Sequence, residues 1–88
     1  MIEIKKATAE NLEELGVKSW PIWEKEVSVF KWEYDEKETC YIINGDVEVI
    51  PENGDSVSFG KGDLVVFKEG LKCTWKVKSA VKKHYKFG

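Results

Sequence analysis

The chain has 88 residues, 42% of them hydrophobic, which makes one small domain and excludes a disordered segment. A net charge of −2 argues against nucleic acid as a partner, and the complete lack of arginine removes bidentate recognition of carboxylate or phosphate. No apolar run approaches the roughly 20 residues that cross a membrane, so no membrane partner is expected either.

Ile2 and Ile4 begin a short first strand. Thr8 is a good N-cap for a short helix, with Glu10 in its first turn and Gly16 as its stop. Leu12 and Leu15 are its expected inward residues. The opening residues show no signal-like apolar run. Together with only two cysteines, this predicts a reduced, cytoplasmic setting. Abundant lysine and glutamate, with no glutamine, give a thermophile-like composition.

Pro21 within SWPIWEKE marks an irregular or edge segment. The stretch SVFKWEY then alternates, with Phe30, Trp32 and Tyr34 on one face. ETCYIINGDVEVIP reads as two β-rich runs around Asn44-Gly45, the residue pair of a two-residue hairpin turn. In that register Cys40 faces Val49. Cys40, Ile42, Val47 and Val49 share a dry face, and Glu38 has the same parity with nothing nearby to neutralise it.

Turns follow at Asn53-Gly54 and Gly60-Lys61-Gly62-Asp63, with a short strand between them. LVVF is a buried strand, and Lys68-Glu69-Gly70 turns into LKCTWKVK, which alternates with Cys73, Trp75 and Val77 inside. AVKKHYKFG reads as a separate last strand. Its alternation of Val81, Tyr85 and Phe87 points Lys83 inward and His84 outward. Six lysines from Lys72 onward, with no acid among them, read as the solvent faces of two strands guarding a sheet edge. Short strands at roughly 8 to 12 residue spacing imply an all-β sandwich or barrel.

The glycine and acid spacing resembles the cupin superfamily. Glu38 is followed by six residues and Gly45, as at the end of the first cupin motif. Gly62 and Gly70 fall at the glycines of the second motif, while Lys68, Cys73 and Val77 replace its proline, histidine and asparagine. WPIW, FKWEYDEKETCYIINGDVEV, GDLVVFKEGLKCTW and KKHY are similar to the cupin type 3 group, which is named after ureidoglycine aminohydrolase. The resemblance covers about residues 17–88 and implies a single-domain jelly-roll β-barrel, with residues 1–16 as a leading strand and short helix. It also implies a homodimer.

The two motif histidines are replaced by Trp32 and Tyr34. A bound metal would have only Glu38 and Cys73 as its evident donors, with Tyr34 or His84 as possible additions, so the expectation is no metal. Glu38 and Cys73 are the candidate catalytic pair. Glu38 is a hydrogen-bonding or acid–base group, and Cys73 a nucleophile if Lys83 lowers its pKa. Trp32, Tyr34, Cys40, Trp75 and Lys83 are candidate binding residues for a small molecule. Cys40 and Cys73 are both expected inside, as thiols. Three functions follow: a small-molecule-binding cupin of open activity, a metal-dependent hydrolase related to ureidoglycine aminohydrolase, or a non-catalytic module in which Glu38 and Cys73 are structural.

Overall fold

The computed structural model describes residues 2–88. Strand β1 (Ile2–Lys6) leads into helix α1 (Ala9–Leu15). The Thr8 side chain accepts from the Asn11 N–H at 3.1 Å, and the Asn11 side chain accepts from the Thr8 N–H at 3.2 Å. Gly16, at φ 68°, closes the helix in the left-handed conformation. Leu15 does not turn inward. It is 45% exposed, because the helix lies outside the barrel and buries no residue fully.

After a single 3₁₀ turn, Val17–Ser19, every further regular element is a strand: β2 (Ile22–Lys25), β3 (Ser28–Glu33), β4 (Glu38–Pro51), β5 (Val57–Gly60), β6 (Asp63–Phe67) and β7 (Lys72–Phe87). Two long strands organise the fold. Asn44-Gly45 is not a hairpin turn. β4 runs straight through it as one 14-residue strand, and the pair falls among register shifts between Ile42 and Val47. The reason lies in the partner: β7 is itself one 16-residue strand, not two, and pairs antiparallel with β4 from Glu38↔Phe87 to Pro51↔Cys73. Cys40 therefore sits opposite Val65 and Tyr85 rather than Val49. The dry face survives, since Cys40, Ile42, Val47 and Val49 are all fully buried.

The long β4–β7 ribbon belongs to two sheets. Its first half in β4 pairs with β6, and β6 with β1. The matching half of β7 pairs with β2. This gives the order β1-β6-β4-β7-β2. Past the bulges, β4 pairs with β5 and β7 with β3, forming the second sheet. The inner faces of the two sheets pack into one core. The lysines of β7 thus decorate a central strand, not an edge, and Lys76 and Lys78 both reach Glu48. Lys83 is the one lysine of this strand that is buried.

Candidate ligand-binding cleft

Alternation in β3 aims Phe30 and Trp32 toward the barrel interior, where both line a cleft. Just after the strand, Tyr34 is locked by its own backbone. Its N–H donates to the Leu71 carbonyl at 2.9 Å, and its carbonyl accepts from the Gly70 N–H at 2.7 Å. The ring stacks on Phe67 with centroids 4.8 Å apart, and its oxygen accepts from Trp75 Nε1 at 3.2 Å. Burial pushes the Tyr34 pKa far above its ordinary value, and the nearby Glu38 charge adds to the effect. The hydroxyl is therefore a neutral donor throughout the physiological range.

Glu38 opens β4, between Phe67 and Phe87 in register. Lys83 lies in β7 between Ile42 and Trp23. Both are buried, and Lys83 Nζ donates to Glu38 Oε2 at 2.8 Å. The same ammonium stands 4.7 Å from the centre of the Trp75 ring and 4.9 Å from that of Trp23. One carboxylate and two indole faces thus enclose the charge, which replaces much of the water it has lost.

These groups form the base of a cleft of about 230 Å³. Glu38, Lys83, Tyr34 and Trp75 lie deepest, with Trp23, Phe30 and Tyr85 along the walls. Trp32 and Phe87 also line it and stay 48% and 43% exposed, which places them at its mouth. Of the residues picked out in the sequence, the structure brings Trp32, Tyr34, Glu38, Trp75 and Lys83 together. Cys40 and Cys73 do not line the cleft. Cys40 is covered by the strands on both sides of β4, and Cys73 packs into the core between Trp32 and Pro51 in register.

Burial, with a smaller contribution from the Glu38 charge, pushes the Cys40 thiol up to about 12 and the Cys73 thiol up to about 11. Lys83 partly opposes the rise at Cys40. His84 faces away, with Nδ1 at 3.0 Å from the Trp20 carbonyl oxygen. Trp23, Phe30, Tyr85 and Phe87 also line the cleft and are absent from the candidates that the pattern offers. The inward parity of Phe30, Tyr85 and Phe87 was the available signal, while Trp23 sits in a segment too irregular for parity to place.

The donor set does not fit a metal ion. Among the described residues no group of three or more His, Cys, Asp or Glu side chains converges. The one carboxylate at the base already holds the Lys83 ammonium, so a metal there would face a cation a few ångströms away.

Two antiparallel sheets sharing a bent ribbon, with a cleft lined from both, define a small all-β cupin. The chain belongs to the EutQ-like cupin family, whose sequence model matches residues 12–85. It is 55% identical to a DUF861-family protein from Thermotoga maritima, over 100% of both chains, at a TM-score of 0.98. The EutQ protein of Clostridium difficile is 25% identical over 96% of this chain and 64% of its own, with a TM-score of 0.68. A DUF861-family protein of unknown function from Pseudomonas syringae pv. tomato is 26% identical over 76% of this chain and 29% of its own, also at 0.68. No curated protein matches the chain.

Proposed function

We propose that this cupin binds a small organic molecule in the aromatic cleft, over the Glu38–Lys83 pair. One observation carries the reading. Lys83 engages only Oε2 of Glu38, and no fully buried side-chain oxygen among the described residues lacks a partner. Oε1 therefore keeps some accessible surface, and because Glu38 lines the cleft it is an acceptor presented between aromatic walls. The open side leaves that oxygen able to accept a hydrogen bond from a molecule in the cleft.

In this reading Glu38 is the hydrogen-bonding group and, if a reaction occurs, the one placed to exchange a proton with the bound molecule. Cys73 is a packing residue. Hydrolysis through a metal finds no support in the donor set. Soaking crystals with single-ring aromatic fragments tests the proposal. Density for a fragment between Trp32 and Phe87, reaching Glu38, is expected. Fragments found only on the outer sheet faces would count against it.

A further inference from the structure

We infer that the ligand of this cleft is a small neutral molecule, a flat ring carrying an N–H donor beside a carbonyl acceptor, as in an aromatic carboxamide or a lactam. This rests on the reading of the cleft as a ligand site and adds the ligand's chemistry. Lys83 has three N–H bonds, and three partners surround it: Glu38 Oε2, the Trp75 face and the Trp23 face. No donor of the ammonium is left for a ligand anion.

Two groups at the base remain unspent. Glu38 Oε1 receives no hydrogen bond from the described residues and, not being fully buried, is open as an acceptor. The Tyr34 hydroxyl accepts from Trp75 but donates to no protein atom, so its O–H is free. An acceptor and a donor on the protein call for a donor and an acceptor on the ligand.

Charge selects against ions. Glu38 and Lys83 sum to zero, and no other charged residue lines the cleft. A ligand carboxylate would meet the Glu38 carboxylate, while a ligand ammonium would meet Lys83. At either end the opposite charge is already paired within the protein, so a ligand ion would lose its water without gaining a free counter-charge. The remaining surface is aromatic and favours a flat ring. About 230 Å³ falls below the roughly 300–1,000 Å³ of sites for larger ligands and limits the skeleton to about one ring.

Titration calorimetry at neutral pH with benzamide, benzoate, benzylamine and thiobenzamide tests this on the unaltered protein. Benzamide is expected to bind about tenfold tighter than either ion, and thiobenzamide, whose sulfur accepts poorly from Tyr34, several-fold weaker than benzamide. Tyr34→Phe is expected to remove the difference between benzamide and thiobenzamide. Benzoate or benzylamine binding as tightly as benzamide would overturn the neutral ligand and leave the cleft standing as a site. Thiobenzamide matching benzamide would overturn the Tyr34 contact, hence the donor–acceptor edge. No binding by any of the four would overturn the ligand site itself, and the inference with it.

Discussion

Lys83 and Glu38 stand 45 residues apart in sequence and 2.8 Å apart in space. Enclosing two charges costs several kcal/mol each in lost hydration, recovered only while both partners are present. Lys83→Met should therefore destabilise the fold by about 3–5 kcal/mol, whereas Glu38→Met/Lys83→Met should recover most of that loss. Urea unfolding of both variants checks this, and a double variant no more stable than the single one would contradict it. The thiols give a second expectation. A Cys73 pKa of about 11 against an ordinary 9.0 leaves about a hundredfold less thiolate near neutral pH, so native alkylation should be at least that much slower than alkylation in urea. Because the shift is upward, the native rate should climb with pH well beyond the point where the unfolded thiol has levelled off. The inward parity of Glu38 and of Lys83 was each legible from local alternation. Their meeting was not, because only the register of β4 on β7 brings them together.

At the scale of elements, β4 shows how a strong local signal loses. Asn-Gly between two apolar runs is the residue pair of a tight hairpin, yet here the flanking strand continues and Gly45 adopts φ 114° inside a bulged ladder. Its requirement for glycine is real but tertiary. A Cβ at Gly45 would come within 2.6 Å of the Val81 Cα and 2.7 Å of the Ala80 carbonyl oxygen. Gly45→Ala should cost about 2–4 kcal/mol, from strain and overpacking together. Gly54→Ala, where the added methyl meets only ordinary contact with Pro51, should cost well under that. Thermal melts of the pair separate the two cases, and equal losses would sink the bulge account. The dry face of β4 is legible in the alternation all the same, since the bulges return Val47 and Val49 to the parity that a hairpin would give them. Helix α1 was legible through its caps at Thr8 and Gly16. The exposure of Leu15 was not, because it depends on where the helix docks rather than on its own pattern.

At the scale of the molecule, two long strands shared between two sheets leave a cleft lined by β2, β3, β4 and β7. Three of the four tryptophans, Trp23, Trp32 and Trp75, line it, and Trp20 does not. That division supplies the most direct test of the cleft as a ligand site. Indole N–H resonances of all four tryptophans can be followed by nitrogen-15 NMR while benzamide is added. The account predicts saturable shifts for Trp23, Trp32 and Trp75, with Trp20 unmoved. Shifts of Trp20 as large as those of Trp75, or no shift in any of the four, would contradict it.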